Sequence, residues 1–291
     1  MTPDPERSAI GTTMPPGLFG RERIQAAFTR AREEKRGVLV AYLMGGDPGP
    51  GDDVAYLQAL IDGGVDLIEV GIPFSDPMAD GPTIQKAATR ALAAGTRPKD
   101  VLAGVRRLRD AGVAVPIVVM TYANIPYTMT WAGYARALRE AGVDGTIIPD
   151  LPVDECAPLS AAMADEGLAN ILLAAPMTTG ERLERVAKTS QGFLYLVGSY
   201  GTTGARDSLA EETLGLVEAA APAARRAGIP LAVGFGVSQA EHVRSLIESG
   251  ADGVVVGSAL VRLVEERRGP EEVRDAVARL ARGLRPDPTS S

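Results

Sequence analysis

Two carboxylates within residues 69–85, which read EVGIPFSDPMADGPTIQ, could act as an acid/base pair. Glu69 lies near the end of an apolar run, residues 65–70, that is typical of a buried parallel strand, where a carboxylate is unusual. The Gly- and Pro-rich segment after it predicts a stiff, non-helical loop. We expect this loop to bring Asp80 back toward the opening at the end of that strand. A purely structural interpretation makes Glu69 a salt-bridged core residue and Asp76 and Asp80 turn formers or helix caps. The concentration of Gly, Pro and Asp residues in this loop favours a catalytic role for the two carboxylates instead.

Residues that are scarce in the sequence narrow the reaction class. The chain has one histidine, His242, which is predicted on a helix. Its lysines all fall in polar helices or loops, and they are Lys35, Lys86, Lys99 and Lys188. A Schiff-base nucleophile, a metal-ligand cluster and a Ser-His-Asp set therefore cannot be assembled at a strand end. Proton transfer must rest on Glu69 and Asp80.

Short apolar runs alternate with amphipathic stretches along nearly the whole chain. The runs predict eight strands: Val38–Leu43, Leu67–Val70, Ile117–Met120, Thr146–Ile148, Asn170–Leu173, Phe193–Val197, Leu231–Val233 and Gly253–Val256. The helices predicted between them are Asp52–Asp62, Lys99–Asp110, Thr130–Ala141, Ala157–Glu166, Gly180–Lys188, Ala210–Arg226 and Gln239–Ser249. Repeated units of about thirty residues predict an α/β fold, a single-domain (β/α)8 TIM barrel with its functional residues at the C-terminal ends of the strands.

Three of the predicted helix-to-strand joints repeat one pattern. Residues 63–66 read GGVD, residues 141–144 read AGVD and residues 250–252 read GAD. The glycine suits a left-handed helix C-cap, the Val or Ala covers the bottom of the sheet, and the Asp opens the next strand.

Glycine-rich segments follow the last three predicted strands. They are residues 198–205, 234–238 and 257–258. Each alone is consistent with a tight turn, but together, ahead of helix N-termini, they offer backbone N–H groups to a phosphate. The sequence predicts a monophosphate substrate and contains no nucleotide fingerprint.

Composition limits the size, the partners and the compartment. With 291 residues, 45% of them hydrophobic, the chain can form one large domain. A net charge of −7 without a basic stripe argues against nucleic acid, and one cysteine, Cys156, fits a reducing cytoplasm. The first residues have no apolar h-region, so neither a signal peptide nor a membrane anchor is predicted. We expect a flexible arm over residues 1–20, the barrel over 21–284 and a flexible tail over 285–291.

Several motifs together resemble the tryptophan synthase α subunit. They are residues 71–85, 122–124 (YAN), 149–152 (PDLP), 201–204, 234–236 and 256–258, and the resemblance runs from about Leu39 to the last helices. It implies retro-aldol cleavage of indole-3-glycerol phosphate to indole and D-glyceraldehyde 3-phosphate, without a metal or an organic cofactor. It also implies that indole passes to a pyridoxal-phosphate-dependent β subunit in a cytoplasmic α2β2 assembly.

The resemblance assigns roles to residues of this sequence. Glu69 matches the catalytic glutamate and Asp80 the indole-binding aspartate; Tyr195 matches a tyrosine beside the glutamate. Thr203 matches the threonine of a closing loop that meets Asp80. The positions that match the indole pocket are Tyr42, Met120, Tyr122, Ile147 and Phe235, and those that match the phosphate site are Gly204, Gly236, Gly257 and Ser258.

The chemistry is consistent with these residue types. Cleavage needs a proton delivered to the ring carbon and another removed from the adjacent hydroxyl, and a partly buried Glu69 with a raised pKa could shuttle both. An ionised Asp80 would accept the indole N–H and stabilise the indolenine cation. Two alternatives stay open: a free-standing lyase that releases indole, and a non-catalytic phosphate-binding subunit that activates a partner. The intact Glu69/Asp80 pair argues against the second.

Overall fold

A computed structural model describes residues 17–198, 211–234 and 236–285. The strands are β1 Val38–Met44, β2 Leu67–Gly71, β3 Ile117–Met120, β4 Gly145–Ile147, β5 Ala169–Ile171, β6 Leu173–Ala174, β7 Leu194–Val197, β8 Leu231–Gly234 and β9 Gly253–Val256. The helices are α1 Arg21–Glu33, α2 Asp53–Asp62, α3 Pro82–Ala93, α4 Pro98–Asp110, α5 Asn124–Met129, α6 Trp131–Ala141, α7 Ala157–Asp165, α8 Gly180–Thr189, α9 Glu211–Ala227, α10 Ala240–Glu248, α11 Ser258–Glu265 and α12 Pro270–Leu280. A 3-10 helix, Ala281–Leu284, follows α12.

The strands form one parallel sheet that closes into a barrel. Their order is β5-β4-β3-β2-β1-β9-β8-β7-β6, and every recorded pair is parallel. The two ends of this order, β5 and β6, are consecutive in the chain and are separated only by Leu172, whose N–H donates to Ser190 Oγ. The strand predicted over Asn170–Leu173 is thus split, with β5 pairing to β4 and β6 to β7. The predicted (β/α)8 barrel is confirmed.

Side chains fill the barrel interior toward the N-terminal ends of the strands. The C-terminal end of the barrel, called the mouth below, is where a functional site is expected. Val40, Leu67, Val118, Ile147 and Phe193 belong to one fully buried cluster inside the sheet. Helix α1 adds Ile24 and Phe28 to that cluster, so it covers the N-terminal end of the barrel. Because both faces of the strands are buried, they appear in the sequence as continuous apolar runs rather than as an alternating pattern.

The repeated glycine–aspartate joints stabilise the N-terminal end of the sheet. Gly64, Gly142 and Gly250 have φ angles of +94°, +79° and +105°, which confirms the predicted left-handed turns. The aspartate that follows each glycine accepts a bond from the first residues of a neighbouring strand. The three bonds are Leu39 N–H to Asp66 at 3.0 Å, Ile117 N–H to Asp144 at 2.9 Å and Leu231 N–H to Asp252 at 2.9 Å.

Two helices near the mouth differ from the sequence-based prediction. The stiff loop after β2 ends at Gly81, because Pro82 is the first residue of α3, a position where its missing N–H costs nothing. Helix α5 is too short for its periodicity to be recognised. No helix among the described residues is long and apolar enough to cross a membrane.

Candidate active site

Glu69 lies inside the mouth on β2, in register with Tyr42 on β1 and Val118 on β3. The residue is only 1% exposed, and its Oε2 atom has no hydrogen-bond partner among the described residues. Burial, followed by the negative charge of Asp80, raises the pKa of Glu69 to about 8. The structure therefore keeps an unpaired carboxylic acid at the end of a barrel strand, rather than the salt-bridged core residue of the structural interpretation.

Asp80 is half-buried in the loop between β2 and α3. The Tyr122 hydroxyl accepts a 3.0 Å bond from the Ala79 N–H, and its interaction with the Asp80 carboxyl group acts to lower the pKa of Asp80. Phe74, from the same loop, stacks on Tyr122 with 5.2 Å between ring centroids. Burial raises the pKa of Asp80 to about 6, while the bond from Tyr122 opposes that rise. Tyr122 therefore both places the loop and favours the ionised form of Asp80.

The two carboxyl groups occupy different protonation states near neutrality. A pKa of about 8 keeps Glu69 protonated at pH 7, and a pKa of about 6 leaves Asp80 mostly ionised. When both groups face one ligand, the protonated group can deliver a proton to it. The ionised group can stabilise the positive charge that this proton creates.

Two tyrosines flank the carboxyl groups. Desolvation and the charges of Asp80 and Glu69 raise the pKa of Tyr42 well above its ordinary value, and the same causes raise that of Tyr195 on β7. Both phenols are therefore neutral donors at pH 7.

The hydroxyls of Tyr42 and Tyr195 lie over glycines at strand ends: a Cβ on Gly71 would be 2.2 Å from the Tyr42 oxygen, and one on Gly234 would be 2.9 Å from the Tyr195 oxygen. These two glycines and Phe74 were not predicted as site residues. Their role depends on close packing between side chains inside the closed barrel, and that packing cannot be read from a single sequence.

The apolar positions predicted in the indole pocket lie at two depths. Met120 is partly exposed at the end of β3 and packs against the interior cluster, whereas Ile147 on β4 is fully buried within that cluster. Ile147 therefore forms part of the floor of the mouth. Phe235 and Thr203 lie outside the described residues.

Residues predicted to bind phosphate follow β8 and β9. Gly236 has a φ of +61°, Gly257 caps the N-terminus of α11, and Ser258 is the first residue of that helix. Backbone N–H groups and the positive end of the helix dipole at such an N-terminus suit an anion. Gly204 lies outside the described residues.

A cavity of about 470 Å³ lies at the opposite, N-terminal end of the barrel. Its guanidinium groups are engaged by the protein: Arg23 and Arg109 both pair with Asp144, and Arg139 lies over the Phe19 ring at 3.7 Å. These contacts hold helix C-termini and the chain before α1 rather than a reacting group. Among the residues that the structure describes, no group of three or more His, Cys, Asp and Glu side chains is placed to hold a metal ion.

A parallel barrel with two carboxyl groups of raised pKa at the C-terminal end of its strands is typical of an enzyme of the (β/α)8 class. A family model, the tryptophan synthase alpha chain, matches residues 28–286. The chain belongs to the tryptophan synthase alpha chain family, a family of lyases.

Relatives and solved structures agree with this assignment along nearly the whole chain. The chain is 44% identical to the tryptophan synthase alpha chain of Halorhodospira halophila, over 90% of this chain and 96% of the relative. It is 41% identical to that of Methanosarcina acetivorans, over 89% and 93%. Among solved structures, a chain of Mycobacterium tuberculosis tryptophan synthase matches with a TM-score of 0.83 at 38% identity, covering 93% of this chain and 100% of that one. A chain of the Pyrococcus furiosus α2β2 complex matches with a TM-score of 0.79 at 41% identity, covering 84% and 98%.

Proposed function

We propose that Glu69 and Asp80 carry out the reaction of this family in tryptophan biosynthesis, the cleavage of indole-3-glycerol phosphate to indole and D-glyceraldehyde 3-phosphate. The observation that supports these roles best is the burial of Glu69, whose Oε2 has no hydrogen-bond partner among the described residues and whose pKa is raised by that burial and by the charge of Asp80. Glu69 donates its proton to the ring carbon and, once ionised, takes the proton of the adjacent hydroxyl. The bond between the ring carbon and the glycerol carbon breaks, and the hydroxyl-bearing carbon becomes the aldehyde.

The remaining roles follow from position. Asp80 accepts the indole N–H and stabilises the cation that ring protonation creates, because its charge is fixed by Tyr122 in a desolvated site. Tyr42, Tyr122, Tyr195 and Met120 surround the ring, with Ile147 beneath. Gly236, Gly257 and Ser258 bind the phosphate. Roles for Thr203, Gly204 and Phe235 stay predictions, as does the division of the chain at residues 20 and 284.

Two aspartates of one loop provide a matched test of the Asp80 role. Asp80→Asn removes the charge that stabilises the indolenine, so kcat for indole release should fall by about 10² to 10³. Asp76 is exposed, and among the described residues its carboxylate accepts a bond from the Ser75 hydroxyl alone. Asp76→Asn should leave kcat within twofold of wild type. Equal losses in the two variants would mean that the loop, and not the Asp80 charge, is what the reaction needs.

The partner is a tryptophan synthase β subunit, as in the α2β2 complexes of the family. We infer that it covers the mouth, because exposed apolar side chains lie on the segments that follow three of the strands at this end of the barrel. Met78 follows β2, Tyr127 follows β3 and Met177 follows β6, and they are 83%, 71% and 90% exposed. The segment from Asp150 to Pro158 completes this face, since Asp150 accepts a bond from the Ala123 N–H. A free-standing lyase is therefore the less favoured candidate.

The cytoplasm is the compartment we propose. The reaction belongs to amino-acid biosynthesis, and the single cysteine, Cys156, is buried and free.

A further inference from the structure

Tyr42 lies between the two ends of the proposed substrate site. Strand β1, which carries it, pairs with β9 on one side and β2 on the other. On the β9 side, a Cβ on Gly257 would be 3.4 Å from the Tyr42 Cβ. On the β2 side, Tyr42 is the register partner of Glu69, and its oxygen lies over Gly71. A ligand with its phosphate at Gly257 and its ring beside Glu69 must lay its glycerol chain across Tyr42.

Among the residues that the structure describes, the Tyr42 hydroxyl has no strong hydrogen-bond partner. Its recorded contact is the thioether sulfur of Met44 at 3.9 Å, and a thioether is a weak acceptor. The residue is only 4% exposed, so bulk water does not compensate. A buried donor without an acceptor costs free energy, and phenylalanine would fill the same space without that cost. The hydroxyl is therefore placed for an acceptor that the ligand brings.

We propose that the Tyr42 hydroxyl is a positioning group that donates to the oxygen of the substrate hydroxyl next to the indole ring. This proposal rests on the proposed function. The substrate hydroxyl in turn donates to Glu69 Oε2, an atom that no described residue hydrogen-bonds. Tyr42 keeps its proton throughout, while Glu69 gives one proton to the ring carbon and takes one from the substrate hydroxyl. As that hydroxyl becomes the aldehyde oxygen, it remains an acceptor for Tyr42.

A cycle of two ligands and two variants tests the contact directly. All chains carry Glu69→Gln, which stops cleavage and keeps an acceptor oxygen. The ligands are indole-3-glycerol phosphate and indole-3-propanol phosphate, which lacks both glycerol hydroxyls. Tyr42→Phe should weaken binding of the glycerol phosphate about tenfold, the value of one buried hydrogen bond, and that of the propanol phosphate less than twofold.

The controls separate the contact from folding and from the proposed function. Tyr134→Phe removes a buried hydroxyl that bonds Thr146, outside the mouth, and should change neither affinity. An equal loss for both ligands in Tyr42→Phe, or no loss for either, would overturn the proposal. If the chain with Tyr42 intact binds neither ligand, the proposed function itself fails.

Discussion

At the scale of single residues, environment gives two chemically similar carboxyl groups different tasks. The described part of the chain places no donor on Glu69 Oε2, and Glu69 is buried, whereas Asp80 is half-buried and interacts with Tyr122. A retro-aldol cleavage that begins with ring protonation needs this asymmetry, because two ionised groups could not supply the first proton.

The asymmetry predicts how the rate depends on pH. Activity requires Asp80 ionised and Glu69 protonated, so kcat/KM should fall below about pH 6 and again above about pH 8. Steady-state indole release between pH 5 and 9.5 measures both limbs. The residual activity of Asp80→Asn should lose the acidic limb and keep the basic one. A rate that rises steadily to pH 9.5 would mean that Glu69 enters the reaction ionised.

At the scale of elements, buried aspartates join the strands at the end opposite the mouth. Asp144 accepts bonds from the Gly20 and Ile117 N–H groups and pairs with Arg23 and Arg109. Removing one partner of a buried ion cluster leaves uncompensated charge, which costs several kcal/mol. The cluster maintains the barrel without touching its chemistry.

Denaturation of an aspartate variant tests this separation of stability from catalysis. Asp144→Asn should lower the free energy of unfolding by about 3 kcal/mol, measured by urea denaturation, and leave kcat of the folded fraction unchanged. Asp110→Asn breaks an exposed pair with Arg106 and should cost less than about 1 kcal/mol. A matching loss in the two variants would assign the effect to charge in general rather than to the buried cluster.

The repeated elements also show how far sequence alone reaches. Continuous apolar runs and glycine C-caps predicted all eight strands within two residues, because burial on both faces and left-handed turns leave direct signatures. The split at Leu172 and the short helix α5 depend on which strand pairs with which, a property of the closed barrel. Glu69 was predicted because a carboxylate is unusual in a buried strand, and Asp80 because it lies in the Gly- and Pro-rich loop that follows that strand. The contact of Tyr42 with Gly71 could not be found, because it joins neighbouring strands in three dimensions.

At the scale of the whole molecule, the mouth is also the face with most of the exposed large apolar side chains that the structure describes. Met78, Tyr127 and Met177 lie there, and the Asp80 loop forms part of the same surface. A partner docked on these residues would cover the reacting groups and hold the Asp80 loop in place, which would raise the rate without adding a catalytic group.

Substitutions on this face should separate partner binding from chemistry. Tyr127→Asp should weaken β-subunit binding by at least about tenfold, since it places a charge in an apolar contact, and should leave the activity of the isolated chain unchanged. Leu92→Asp, at a residue 38% exposed near the end of α3, is the matched control and should leave binding unchanged. Titration of the β subunit, followed by indole release, measures both quantities. Undiminished binding by Tyr127→Asp would place the interface elsewhere.

The central claim is that Glu69 carries the proton to the indole ring, and a single-turnover experiment on Glu69→Gln tests it most directly. The substitution keeps the shape of the side chain and removes the transferable proton. With excess enzyme over indole-3-glycerol phosphate, the variant should bind the substrate with an affinity within about threefold of wild type and release indole at least about 10³-fold more slowly. Release of indole at a rate close to that of wild type would contradict the claim.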